Sequence, residues 1–446
     1  MHSLGHQQRE WGIEMEYLRI QGGHKLYGKV TLPGAKNSLL PILAAGILCN
    51  KPVTLCNVPN LTDLDASLQI LKAVGWGAEF LDGKVHLFPA IRMQSTIPEK
   101  AAGAMRSSVF YMAPLLHRTG KVELPSPGGC RLGQRPIDIH LEGLVKMGAT
   151  ASMQDEVLIL QAENGLNGTD FKLRYPSVGA TETLMMAAVL AKGTSHFYNV
   201  AKEPEVVDLA NFLNQCGAKI QGMGTDCLTI IGVDQLGGCI HTIIPDRIVA
   251  ATILSALAAA QGEICIQNIC PVHLSEVLDI YQKMGMKIWQ TTPGEIIAKM
   301  ETKPKAVGKL KTGPFPEFCT DAAPLVAAAL LTAEGESIIE DTVFENRFDC
   351  ASEFSAMGAC AIKQGRSIRI WGKDSYLGGT ARAADLRGGA ALVCAALAAE
   401  SESKVFGIEY INRGYNELGQ MLSELGAKIS LENTFVQEKF TVEKAI

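Results

Sequence analysis

Apolar positions in this chain recur in two registers. Segments such as LANFLNQC, VLDIYQKM and LGQMLSEL carry apolar residues at helical spacing. Each is followed by a glycine and then by a short alternating run (AKIQGM, MKIWQ, AKISL) that predicts a strand. The pattern occurs six times, marked by Gly77-Ala78, Gly148-Ala149, Gly217-Ala218, Gly285-Met286, Gly358-Ala359 and Gly426-Ala427. The glycines are spaced by 71, 69, 68, 73 and 68 residues. Glycine suits the left-handed turn that ends a helix. A second pattern runs out of phase with the first: an Ala-rich segment gives way to a strand and a turn, as in LMMAAVLAKGTSHFYNV, ILSALAAAQGEICIQNI and LVAAALLTAEGESIIEDTV. Helices with so little polar surface are predicted to be buried on most sides. Each unit therefore holds two helices and several short strands. Such regularity suits either a solenoid or a compact α/β fold. The unit is long for a solenoid and polar Gly-rich loops interrupt it, which favours an α/β fold of two pseudo-threefold domains.

The 446 residues allow about three domains, or two large ones. A net charge of -5 excludes nucleic-acid binding through a global positive field and leaves room for a local basic pocket. No apolar run reaches the roughly 18 residues that span a bilayer, so no membrane partner is expected. Met1 to Gly12 is polar and has no signal-peptide core. Residues 1–14 are expected to be a disordered extension, with Met15 the natural start. Of the twelve cysteines, Cys49, Cys56, Cys216, Cys239, Cys265, Cys360 and Cys394 sit in apolar runs and are expected to be free, packed thiols. No CxxC pair offers a zinc site. A reduced, cytoplasmic protein is expected.

Four stretches break the periodic pattern. In PGAKNS (33–38), Lys36 stands at a strand–helix junction, where it either meets an anion at the helix N-terminus or extends into solvent. The segment PSPGGCRLGQRP (125–136) reads as a loop. Its Cys130 lies beside arginines, which lower a thiol pKa, so Cys130 is the candidate reactive thiol rather than a packed bystander. Arg106, Arg347, Arg387 and Arg413 each neighbour apolar or Gly-rich sequence. Each forms either a structural ion pair or, with Lys36, part of a pocket for a small, highly charged anion. Asp321, before a long Ala-rich segment, either caps a helix or acts as general base for an alcohol.

Together these stretches resemble the enolpyruvyl transferases, from about Glu16 to Ile429. The carrying segments are PGAKN (33–37), PGGCRLGQRPIDIHLEGL (127–144), PSVGATET (176–183), EPEVVDLANFL (203–213), IPDRI (244–248), TVFENRF (342–348), DLRGGAAL (385–392) and NRGY (412–415). The loop cysteine and PSVGAT point to the UDP-sugar branch of that family. The resemblance implies a two-domain inside-out α/β barrel, each domain built from three βαβαββ-like units. One domain would be residues 36–244, carrying the Cys130 loop; the other would join 15–35 to 245–446. The implied partners are phosphoenolpyruvate and UDP-N-acetylglucosamine, with no metal or organic cofactor. Enolpyruvyl would pass to the 3′-hydroxyl of the sugar by addition and elimination, releasing phosphate. Cys130 would donate the proton to the methylene carbon and could form a covalent adduct, and Asp321 would be the base. Lys36, Arg135, Arg387 and Arg413 would neutralise the anions. Asn37, Arg106, Pro136, Ile137, Asp138, Ile139, Tyr175, Pro176, Ser177, Val178, Val343 and Arg347 match substrate-contacting positions. An electrophilic phosphonate such as fosfomycin would alkylate Cys130. The chain departs from the usual family pattern at Val249, Ala251, Cys319, Ala323, Asn412 and Asn416, which leaves open two alternatives, a paralogue with an altered acceptor and a catalytically silent UDP-sugar-binding regulator.

Overall fold

The computed structural model describes residues 13–126 and 136–436. Its repeats are written in one local motif. In six helices the chain leaves through a turn in which the glycine N–H bonds the carbonyl three residues back and the next N–H bonds the carbonyl five back. Gly148 and Ala149 bond Val145 and Leu144, and Gly217 and Ala218 bond Asn214 and Leu213, all at 2.9–3.0 Å. Gly285, Gly358 and Gly426 repeat it, each followed by an apolar residue bonded to Tyr281, Phe354 or Leu422. In the first unit the turn belongs to Gly75 and Trp76, which bond Lys72 and Leu71. The six glycines have φ between 92° and 104°. This corrects the expectation at Gly77, which lies inside the strand Gly77–Leu81. The Gly-Ala dipeptide misled because the residue after the true turn is a buried tryptophan rather than a small residue.

The Ala-rich segments are the buried helices. Lys36–Ala45, Met112–Thr119 and Val178–Ala188 lie in one hydrophobic core, formed by residues between Ala35 and Ile243. Arg247–Ala260, Ala323–Ala329 and Leu386–Ala398 lie in a second, formed by Leu18 to Leu32 together with Ile248 to Ala427. Val249 and Ala251 are wholly inside this second core.

Among the described residues the strands make six sheets. In one, Leu26–Thr31 runs parallel to Gly262–Gln267, which pairs antiparallel with Glu295–Met300, itself antiparallel to Lys287–Thr292. Four other sheets repeat this parallel–antiparallel–antiparallel order. In the sixth, a single parallel bridge, Thr96–Glu123, stands where the others have their first strand. Alternating burial along these strands sets one face on a core and one in solvent. Sheets outside and helices inside is the reverse of the usual layered α/β arrangement.

The N-terminal strands belong to the C-terminal core. Ile13–Gln21 pairs with Glu402–Phe406 and with Lys428–Val436. It begins at Ile13, ahead of Met15, so Ile13 and Glu14 are strand residues and not part of an extension; residues 1–12 lie outside the described residues. The chain passes between the cores at two adjacent places. Gly34 and Pro245 form an antiparallel bridge, Ala35 N–H donates to Ile244 at 2.7 Å, and Asp246 N–H to Pro33 at 2.9 Å. A Cβ on Gly34 would sit 1.9 Å from the Asn57 carbonyl oxygen, so a side chain there would push the two passing segments off the first core. Among the described residues no helix is long and apolar enough to cross a membrane.

Candidate active site

The chemistry-bearing residues gather where the two cores meet. Lys36 is the first residue of its helix, only 8% exposed, so the solvent reading of this lysine is excluded. Its backbone N–H donates to Asp246 Oδ2 at 3.1 Å. The other Asp246 oxygen caps the helix Arg247–Ala260, accepting from Ile248 at 2.8 Å and Val249 at 3.0 Å. One buried carboxylate thus ties together the N-termini of two central helices, one from each core.

Lys36 Nζ lies 2.7 Å from Asp63 Oδ2. Asp63 also accepts from Arg413 Nε at 2.9 Å and Nη2 at 3.3 Å. The aspartate is in the first turn of Thr62–Ala73 in the first core; Arg413 follows the short helix Ile408–Ile411 of the second. Close by, Thr62 N–H donates to the Asn412 carbonyl at 3.3 Å. Burial pushes the Lys36 pKa down; Asp63 only partly offsets it, and Arg387 and Arg413 press the same way as burial. Burial alone would raise Asp63, but Lys36 and then Arg413 outweigh it and hold the carboxyl below its ordinary value.

Asp321 sits in the short turn Thr320–Ala322 before Ala323–Ala329, whose cap position is Ala322. The helix-capping reading of Asp321 therefore fails. Its carboxylate instead lies between two arginines, Arg347 Nη2 at 3.0 Å and Arg387 Nη2 at 3.4 Å, with a quarter of the side chain still exposed. Arg387 is almost wholly buried, lies over the Tyr415 ring and donates to the Tyr415 hydroxyl at 3.2 Å. Tyr415 in turn shares a 2.8 Å hydrogen bond with Thr252.

Arg347, expected to contact substrate, is held in the structure against Asp321. Its side chain is 1% exposed and packs behind Asp321, donating from Nε to Thr320 at 2.9 Å, with Asp341 3.9 Å away. Asp341 is fully buried and accepts from Val343 N–H at 2.8 Å and Phe344 N–H at 2.6 Å. Arg347 is the strut that fixes Asp321 and the Val343 turn, because a guanidinium can donate to several carboxylates and hydroxyls at once.

Asn37 is exposed and Arg106 opens the short helix Arg106–Tyr111. Pro136 and Ile137 lead into Asp138–Lys146; Asp138 pairs with the exposed Arg174 and accepts from the Ile139 N–H at 2.8 Å. Tyr175 and Pro176 precede Ser177, which caps Val178–Ala188 by accepting from Ala180 at 3.3 Å. Cys130 and Arg135 lie outside the described residues.

Sequence reading passed over Asp63, Asp246, Asp341, Tyr415 and the carboxylates behind the seam. An acid in the first turn of a predicted helix was the available signal for Asp63, but nothing local reveals an arginine 350 positions away. Glu182 is buried with Oε1 unpaired among the described residues. Burial, then Glu205 and Glu203, hold its pKa well above the ordinary value. Glu205 is paired with Arg247 of the other core at 2.8 and 3.2 Å. His140 is buried without a ring partner among the described residues; burial, then Arg106, lowers its pKa to about 4.

Two cores of inward helices with buried cations and the carboxylates that hold them at their seam define a class. A family model for EPSP synthase (3-phosphoshikimate 1-carboxyvinyltransferase) matches residues 20–422, and the chain belongs to this family. Among its relatives, the UDP-N-acetylglucosamine 1-carboxyvinyltransferase of Finegoldia magna is 40% identical over 416 residues, covering 93% of this chain and 98% of that protein. UDP-N-acetylglucosamine 1-carboxyvinyltransferase 2 of Carboxydothermus hydrogenoformans is 42% identical, covering 93% and 99%. Among solved structures, the enolpyruvyl transferase NikO from Streptomyces tendae superposes with a TM-score of 0.84 at 24% identity, covering 95% of this chain and 100% of that one. EPSP synthase from Acinetobacter baumannii gives 0.72 at 18%, covering 94% and 100%. These two structures share the fold.

Proposed function

We propose that this protein transfers the enolpyruvyl group of phosphoenolpyruvate to the 3′-hydroxyl of UDP-N-acetylglucosamine, releasing phosphate, in the first committed step of peptidoglycan precursor synthesis. The observation that carries the reading is the opposed pair of sites at the seam: Lys36 and Arg413 around Asp63, and Asp321 between Arg347 and Arg387. The similarity of nearly the whole chain to 1-carboxyvinyltransferases supports it.

Asp321 takes the proton of the sugar hydroxyl as its oxygen attacks C2 of phosphoenolpyruvate. Cys130 gives a proton to the methylene carbon, leaving a tetrahedral ketal. Loss of a methyl proton and of phosphate restores the double bond on the sugar. Lys36, Arg135, Arg387 and Arg413 bind the phosphate and carboxylate and stabilise charge as it develops. Asn37, Arg106, the 136–139 and 175–178 segments and Val343 hold the nucleotide sugar. Arg347 acts through Asp321, as its burial favours.

The two domains in this reading are 36–244 and 15–35 with 245–446, and substrate binds in the cleft between them. The protein acts in the cytoplasm, without metal or organic cofactor. The test is phosphate release from phosphoenolpyruvate and UDP-N-acetylglucosamine, with the product identified by mass. A UDP-sugar carrying an added enolpyruvyl group is expected, and Cys130→Ala should abolish turnover while the folded spectrum is kept. Release without that product would overturn the acceptor, and near-normal turnover in Cys130→Ala would overturn the proton donor.

A further inference from the structure

Away from the seam, the first core brings three thiols together. Cys216 ends the helix Pro204–Gln215 and is 3% exposed. Its Sγ donates to Cys239 Sγ at 3.3 Å. Cys239 is partly exposed and stands immediately before the strand Ile240–Thr242. The buried Cys49 thiol borders Cys216 and contributes to raising its pKa.

The backbones beneath these sulfurs are already bonded. Gly237 N–H donates to the Cys216 carbonyl at 2.7 Å, and the Cys239 carbonyl accepts from Thr54 at 2.9 Å. A parallel bridge joins Cys49 to Leu236. These contacts hold the two backbones in place beneath the sulfurs. Closing 3.3 Å to a bond of about 2.05 Å brings the sulfurs nearer by about 1.3 Å.

We propose that Cys216 and Cys239 are a modification site, a dithiol that a low-molecular-weight disulfide oxidises to an intramolecular disulfide. Cys239, the more accessible sulfur, loses its proton and attacks one sulfur of the oxidant; the oxidant's S–S bond breaks and its first thiol leaves. Cys216 then loses its proton and attacks the Cys239 sulfur of the mixed disulfide, and the second oxidant thiol departs. The protein loses two protons and two electrons, and the oxidant becomes two thiols. Cys239 is held protonated by its hydrogen bond with Cys216 and by burial; Cys216, although the Cys239 contact favours its thiolate, is held protonated by Cys49 and burial, so the first attack is slow and proximity makes the second fast.

The bond would tie the end of a first-core helix to the strand that leads into the passage between cores. That helix already holds the strand through Asp208, which bonds His241 at 3.0 Å and the Ile244 N–H at 3.4 Å. The site therefore lies behind the passage between the cores.

The experiment treats the full chain carrying Cys130→Ser with oxidised glutathione, blocks remaining thiols under denaturing conditions, and maps the peptides. The expected result is a Cys216–Cys239 linked peptide, a mass lower by two hydrogens, reversal by dithiothreitol, and no link in Cys239→Ser or Cys239→Ala. Two replacements guard against one of them failing to fold. A Cys49–Cys216 link, a glutathione adduct that stays on Cys239, or full alkylation of both thiols would each overturn the assignment.

Discussion

Replacing Asp63 with asparagine keeps the shape of the side chain and removes the negative charge between two cations. Unit charges 2.7 Å apart attract by about 6 kcal/mol at an effective dielectric near 20, and Arg413 at 2.9 Å has a contact of similar strength. Desolvation of three nearly buried groups offsets much of this, and removing one partner of a buried ion pair costs about 3–5 kcal/mol. Asparagine still accepts one hydrogen bond, so about 3 kcal/mol is the expected loss of stability, read from urea unfolding near neutral pH. The same substitution acts on Lys36. Burial already lowers its pKa, Asp63 opposes the shift, and both nearby arginines reinforce it. Without Asp63 the ammonium loses its proton at lower pH. If protonated Lys36 binds the anionic substrate, the alkaline limb of the phosphate-release profile should move towards neutrality and KM for phosphoenolpyruvate should rise. Asp63 itself, held below its ordinary pKa, contributes stability that is present above that ordinary value and is lost as pH falls through the folded one. The variant should therefore show a flatter acid-unfolding curve than the parent. A stability change under about 1 kcal/mol together with an unmoved alkaline limb would refute this account of the bridge.

Three further outcomes are expected. Arg347→Met leaves buried Asp341 without its cation and Asp321 without one strut, so it should cost about 3–5 kcal/mol in urea unfolding; in the fraction that folds, kcat should fall more than KM rises, with Arg347→Lys intermediate. Glu182→Gln should raise the melting temperature by more at about pH 8 than at about pH 6: a carboxyl whose folded pKa is raised gives stability that is complete below its ordinary value and is lost as pH rises through the folded value, and an equal or shrinking gain would contradict that sign. Gly75→Ala should cost about 1–2 kcal/mol for its left-handed backbone, and more because its Cβ would meet the Arg92 carbonyl oxygen at 2.6 Å. Gly77→Ala should cost less, since its Cβ would touch the exposed Phe88 side chain at 3.0 Å; a larger cost at Gly77 would reinstate it as the turn residue.

The repeat was legible because each unit encodes its own periodicity and its own stop. Helical spacing, a glycine for the left-handed exit and an alternating strand are local properties, and five of the six turns fall on the expected glycine. The sixth was displaced to Gly75 because the pattern was read through the residue after the turn, which is free to vary as long as it is apolar. The Ala-rich helices were legible as buried because they have no polar stripe to offer water. Candidate cations stood out as charges set in apolar or Gly-rich sequence.

What each candidate does was decided in three dimensions. Lys36 and Arg387 are both nearly buried, as is Arg347, yet Lys36 meets Asp63, Arg387 meets Tyr415 and Asp321, and Arg347 turns away behind Asp321. Nothing in the flanking sequence separates these fates, because the partners come from other units and from the other core. The Asp63–Arg413 contact spans 350 positions and the Lys36–Asp246 contact 210. A sequence by itself fixes which segments are helices and strands, since those depend on neighbours along the chain. Which charges share one buried volume depends on how the two cores meet, and only the tertiary structure supplies that.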